Sequence, residues 1–196
     1  CYLSGNVREK LDAARAAERA EPGRWTSHVT ALEAVLPEDI GAGDITARLG
    51  AVWIPDTDHE QFLRDLLGAR DWVTVTRLAG SAWEVKGPSW GVPATQEWGT
   101  DRMPAPRLMA AVLGQRTIAV YDKTGDQEVL NPTETAAAQE KARLLQERFG
   151  DWVWEDPERA TRLLAEYNRR FNSSRLRDYA DEGQRLTLPG LAAGFT

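Results

Sequence analysis

Six stretches of this chain carry apolar residues at helical spacing, and glycine or proline closes most of them, so helices have to dominate whatever it folds into. The first covers about residues 4–20: Val7, Leu11 and Ala14 share a face, Asn6 and Glu9 stand at capping-box spacing, and Pro22-Gly23 ends it. Trp25, Val29, Leu32 and Leu36 mark the second, with Pro37 beyond. Thr57 and Glu60 predict a capping box for the third, whose stripe is Phe62, Leu63, Leu66 and Leu67 and whose left-handed cap is Gly68. A fourth runs from about Ala105 to Leu113 and stops at Gly114. Asn131-Pro132 opens the longest, with Asn as cap and Pro at the first helical position, and Ala138, Ala142, Leu145, Phe149 and Trp152 on its face. Asp156-Pro157 starts the last, to about Phe171, before an irregular tail.

Between the helices lie shorter signals. Trp72–Leu78 and Ala82–Lys86 read as strands joined at Ala79-Gly80-Ser81, and Thr117–Asp122 with Gln127–Leu130 read as a second hairpin turning at Lys123–Asp126. Asp39–Gly50 is expected as a loop with a helical turn around Ile45–Leu49, and Gly87–Thr100 as a loop throughout. Phe62–Gly68 before Trp72 resembles Leu108–Gly114 before Thr117, either as an internal duplication or as a common helix–Gly–hairpin arrangement. Isolated hairpins are marginal in water, so the two are expected to pair as one small antiparallel sheet. The fold class is therefore α+β and mostly helical. We expect a single domain over 1–196, in which residues 1–55 are helical, 56–130 form two helix–hairpin units, and 131–196 form a helical pair and a tail.

Charge and composition narrow the function. Lys and Arg number 24 against 30 Asp and Glu, a formal charge of −6, so no overall basic field draws the chain to nucleic acid or anionic lipid. A chain this long buries roughly 70% of its unfolded surface, enough for a core without staples. The single cysteine, Cys1, excludes an internal disulfide framework, and two histidines leave little for a metal site. No apolar run approaches the roughly 20 residues of a membrane span and no signal-peptide pattern is present, which points to a cytoplasmic protein without a membrane partner. The start at Cys-Tyr-Leu, without methionine, reads as an excised piece of something longer. Eight tryptophans are an unusual share, and most are expected to anchor the core or an interface.

Chemistry-bearing motifs mostly dissolve on inspection. Gly41-Ala42-Gly43-Asp44 lacks a preceding strand and has Thr46 where a third glycine belongs, so it reads as a loop. Lys123-Thr124 follows Asp122 instead of glycine and sits in a hairpin. Ser27 and His28 are neighbours on one helix and do not face each other. His59 among Asp56, Asp58 and Glu60 resembles a ligand cluster, yet acidic residues at a helix start serve the helix dipole. No catalytic, cofactor-binding or metal-binding residue is expected.

The last helix is the most informative surface. Ala160, Leu163, Leu164, Tyr167 and Phe171 form its apolar stripe. Beside it lie Arg159, Arg162, Arg169 and Arg170, followed after Asn172-Ser173-Ser174 by Arg175 and Arg177. Guanidinium forks bind phosphate oxygens in pairs, which makes these six the candidate nucleic-acid contacts. Glu166 stands four residues from both Arg162 and Arg170, so an ordinary solvated, ion-paired face is the other reading.

Several strings together carry a resemblance: Tyr2-Leu3-Ser4-Gly5-Asn6-Val7-Arg8, Leu49-Gly50-Ala51-Val52-Trp53-Ile54-Pro55, Trp98-Gly99-Thr100-Asp101-Arg102, then Asn131-Pro132, Lys141, Arg148-Phe149, Trp152, Asp156-Pro157, Tyr167-Asn168 and Arg170-Phe171-Asn172. Nearly the whole chain resembles the middle region of large prokaryotic, phage and plasmid proteins that fuse an adenine-specific DNA methyltransferase to a helicase of the DEAD/DEAH or chromatin-remodeller type, among them antirestriction and defence components. The resemblance implies a parent that uses ATP with Mg and S-adenosylmethionine, with the methyltransferase upstream and the helicase core beginning soon after Leu186-Thr187-Leu188-Pro189-Gly190. Neither engine's signature lies in this stretch. Asn131-Pro132-Thr133-Glu134 departs from the methyltransferase motif at its third and fourth positions, and no phosphate-binding GxxxxGK[ST] occurs. The expected role is a connector that orients the neighbouring methyltransferase and helicase domains and contacts DNA. The alternative is a structural protein-docking domain, and a winged-helix DNA reader stands third because its hairpin tips are not basic.

Overall fold

The computed structural model describes residues 2–69, 72–79, 82–125 and 127–176. In chain order the elements are β1 (Gly5–Asn6), α1 (Val7–Ala20), α2 (Thr26–Glu33), α3 (Asp56–Leu67), β2 (Thr74–Arg77), β3 (Trp83–Lys86), α4 (Ala105–Leu113), β4 (Tyr121–Thr124), β5 (Gln127–Leu130), α5 (Pro132–Glu155), α6 (Pro157–Phe171) and β6 (Ser174–Arg175). The fold is α+β and mostly helical, with three small two-stranded antiparallel ladders, β1–β6, β2–β3 and β4–β5. The chain divides into two compact units, Cys1–Asp39 with Asn168–Thr196, and Ile40–Tyr167.

In the second unit α3, α4, α5 and most of α6 surround an aromatic centre. Phe62, Phe149 and Leu163 are fully buried, and Trp152 nearly so. The Phe149 ring meets Phe62 edge-on at 5.0 Å and stacks on His59 at 5.2 Å. Offset and edge contacts of this kind add to the burial of so much apolar area. Asn131 caps α5 as expected, accepting from the Glu134 N–H at 3.0 Å, and Gly68 closes α3 in the left-handed region at φ 61°. Gly99 is required for a different reason. A Cβ there would stand 2.2 Å from the Ala94 carbonyl and 2.5 Å from the Ala105 nitrogen.

The first unit has a much smaller core: Leu11, Ala14 and Leu32, with Val29 and Leu36 against them. Polar links do more of the holding. The Arg8 guanidinium donates to the Asn172 and Pro37 carbonyls at 2.7 and 3.1 Å and pairs with Asp39 at 2.5 Å. Asn6 caps α1 by accepting from the Glu9 N–H at 3.1 Å.

Several expectations need correction. The two hairpins do not combine into one sheet: β2–β3 lies against α3 and α4, which cover Val75 and Val85, so a second ribbon is not needed there. No helical turn forms at Ile45–Leu49. A 3-10 turn occupies Ala42–Asp44, and Ile45, Ala47 and Leu49 are buried alternately along an extended segment. The Thr57–Glu60 capping box is absent, because Glu60 instead accepts from the Val75 N–H at 3.0 Å and pairs with Arg64. Gly87–Thr100 holds a π-helical turn over Pro93–Glu97. The first helix starts at Val7, and the tail pairs back, Ser174 opposite Asn6 and Arg175 opposite Gly5.

Six tryptophans are buried or half-buried, while Trp72 and Trp90 are exposed. Among the described residues, no helix is long and apolar enough to cross a membrane.

Candidate nucleic-acid interface

The six arginines of the sequence pattern do not form one stripe. Arg159 folds back over the C-terminal end of α5: its guanidinium donates to the Trp152 and Val153 carbonyls and lies 3.5 Å from the Trp152 ring. It answers carbonyls that a helix end leaves without partners, and burial holds it below its ordinary pKa. Arg162 reaches Asp58 on α3 at 2.5 Å, and that hydrogen bond raises the arginine's pKa. Asp58 is buried, and its second oxygen, Oδ2, has no hydrogen-bond partner, so Arg162 is what compensates this charge. Both side chains therefore hold helices together.

Arg169, Arg170 and Arg175 are placed differently. The first two sit in the last turn of α6 and are exposed, and Arg175 is exposed on β6. Cations in a last helical turn complement the helix dipole, which explains why a sequence can carry them there without any ligand. Phe171, expected to continue the apolar stripe, is 55% exposed beside them. Arg177 lies outside the described residues.

The other motifs have structural occupations. His59 is fully buried; its Nδ1–H donates to the Pro55 carbonyl at 2.8 Å, and its Nε2 accepts from the Gly50 N–H at 3.0 Å. The ring is thus neutral, and burial, with the Arg77 charge adding to it, lowers its pKa to about 4. Gly50 makes this possible at φ +81°, where a Cβ would press to 3.1 Å from the Leu113 carbonyl. Gly41-Ala42-Gly43-Asp44 makes the 3-10 turn, and Lys123-Thr124 ends β4. Ser27 and His28 are exposed on α2. Among the described residues, no three of His, Cys, Asp and Glu come together to hold a metal.

One cluster escaped the sequence pattern. The His28 ring lies 5.3 Å from both Tyr2 and Trp25, linking them into a chain of rings, with Lys10 5.9 Å from Tyr2 and Arg24 5.6 Å from Trp25. Trp25 and His28 stand three apart at the start of α2, a spacing visible in the sequence, but Tyr2 joins them only through the fold.

A family model for a domain of unknown function (DUF8437) matches residues 48–173. No curated protein and no solved structure matches the chain.

Proposed function

Since the chain belongs to the DUF8437 family, whose description assigns no function, we propose from its own surface that it is a non-catalytic accessory domain of a longer polypeptide, touching nucleic-acid phosphates through Arg169, Arg170 and Arg175. The observation that carries this reading is the placement of those three exposed arginines in the unit where charge is balanced. The first unit has ten basic and ten acidic side chains, whereas the second has 14 basic and 20 acidic, so the chain's whole excess of negative charge belongs to the second unit. Phosphate binding needs few contacts but cannot work against a strongly negative field. The resemblance to methyltransferase–helicase fusions supplies the partners: the neighbouring catalytic domains, with ATP, Mg and S-adenosylmethionine bound by the parent and the cytoplasm as its place.

Fluorescence anisotropy with labelled single-stranded, duplex and forked DNA tests this reading at about 50 and 200 mM salt. Binding that weakens steeply with salt, and is lost in Arg169→Glu/Arg170→Glu, is the expected result. Absence of binding at either salt overturns it.

A second reading has its own observation. Trp72 and Trp90 are 71% and 68% exposed, with Val92 also exposed, and the Thr74–Lys86 pairing brings their two chain segments to the same end of the β2–β3 hairpin. Exposed tryptophans fit a protein-docking face. A docking module would bind no DNA, and Trp72→Ala/Trp90→Ala would weaken its association with the neighbouring domains.

A further inference from the structure

We propose that the groove on α1 between Tyr2 and Trp25 is a stacking slot for a base of single-stranded nucleic acid. This inference rests on the nucleic-acid reading above and names the form of the ligand. The groove encloses about 210 Å³ and is lined by Tyr2, Lys10, Ala13, Ala14, Ala17 and Trp25. Three alanines of α1 give it an apolar floor, and Tyr2, Trp25 and Lys10 complete the lining. Tyr2 is 47% exposed, with the His28 ring edge-on to it at 5.3 Å.

The walls are held in place. Lys10 Nζ donates to the Tyr2 and Ser4 carbonyls at 3.2 and 2.7 Å, fixing the segment that carries the tyrosine. At the other wall the Glu18 carboxylate accepts from the Trp25 N–H at 2.6 Å, from the Gly23 N–H at 2.7 Å and from Thr26 Oγ1 at 2.8 Å. These donors occupy the Glu18 carboxylate and hold it below the usual carboxylate range, the Gly23 contact foremost. The Arg24 guanidinium lies near the Trp25 ring and also pairs with Glu21.

Charge complementarity selects the occupant. An apolar peptide side chain would use the floor alone and neither of the two cations beside the rings. A nucleotide uses both, its base against the aromatic faces and its phosphates near Lys10 and Arg24. Tyr2 also stands three residues before Gly5, whose partner across the β1–β6 pair is Arg175, so no more than roughly 15 Å of backbone separates the tyrosine from that arginine. A strand crossing the groove can therefore continue to the arginines. A duplex cannot, because its bases are already stacked on each other.

The test uses the full chain and a labelled oligo(dT) of about 12 nucleotides against a duplex of the same length, at about 50 mM salt. The single strand is expected to bind more tightly. Tyr2→Ala, and separately Ala13→Leu, which fills the floor from an exposed helix position, should each weaken single-strand binding roughly tenfold and leave duplex binding and the melting temperature unchanged. Equal affinity for the two forms, or single-strand binding indifferent to both substitutions, overturns the slot while leaving the arginine contact standing. Failure to bind any DNA overturns both. An apolar dye held in the groove and not displaced by oligo(dT) would give the groove to an apolar partner and likewise overturn the proposal.

Discussion

The two units of this chain solve the same problem by different means. Ile40–Tyr167 buries a continuous core of some twenty side chains with four rings at its centre, whereas the apolar cluster described in the first unit is Leu11, Ala14 and Leu32, and Arg8, Asn172 and Glu18 tie chain segments together there. Burial is cumulative and tolerant of solvent conditions, while a side-chain to backbone bond adds only about 1–3 kcal/mol and depends on one geometry. The difference bears on function. Arg159 and Arg162 of the large unit, like Arg8 of the small one, are drawn into the architecture, whereas Arg169, Arg170 and Arg175 of the small unit are exposed.

Phe149→Ala removes the ring that meets Phe62, His59 and Trp152, and should cost about 3–5 kcal/mol, read from urea unfolding followed by near-ultraviolet circular dichroism. A loss under about 1 kcal/mol would mean that the large unit is not held by its aromatic centre.

Acid should act on that same unit. Because the folded state lowers the His59 pKa to about 4, the unfolded chain binds the extra proton first, near its ordinary pKa of about 6.5. The contribution is complete above about pH 6.5 and is lost as the pH falls through 4, a change of about 3 kcal/mol. Urea midpoints across this window should fall in the native chain and flatten in His59→Gln. A flat native profile would show that burial does not hold the ring neutral.

Smaller effects separate the units. Arg8→Met should cost about 2 kcal/mol and speed amide exchange at Val7 and Ser174, leaving α5 protected. The two caps give a matched pair: Asn6→Ala and Asn131→Ala should each cost about 1 kcal/mol, one in each unit. If either substitution loosened both units alike, the division would be wrong.

Local pattern carried much of the fold and little of the site. All six helices follow from their stripes and end signals, because apolar periodicity, Asn131-Pro132 and Gly68 act within a turn or two of where they stand. What the pattern could not supply was every choice made at long range. Glu60 leaves the capping box for a strand N–H fifteen residues on, and Ile45–Leu49 feeds alternate side chains to the core. The site failed for the same reason. Six arginines in one helical neighbourhood look equivalent until Asp58, 104 residues from Arg162, claims one of them and the end of α5 claims another. Phe171 fits the stripe in sequence and is nevertheless 55% exposed.

The salt dependence of DNA binding in two variants tests whether the exposed arginines bind phosphates and the architectural ones do not. For the full chain, log K should fall linearly with log[salt], and Arg169→Glu/Arg170→Glu should flatten the slope by roughly 1.5, about 0.7–0.9 for each phosphate contact removed. Arg162→Gln should lower stability and keep the native slope. A slope that survives the double substitution, or that flattens with Arg162→Gln instead, would contradict the account.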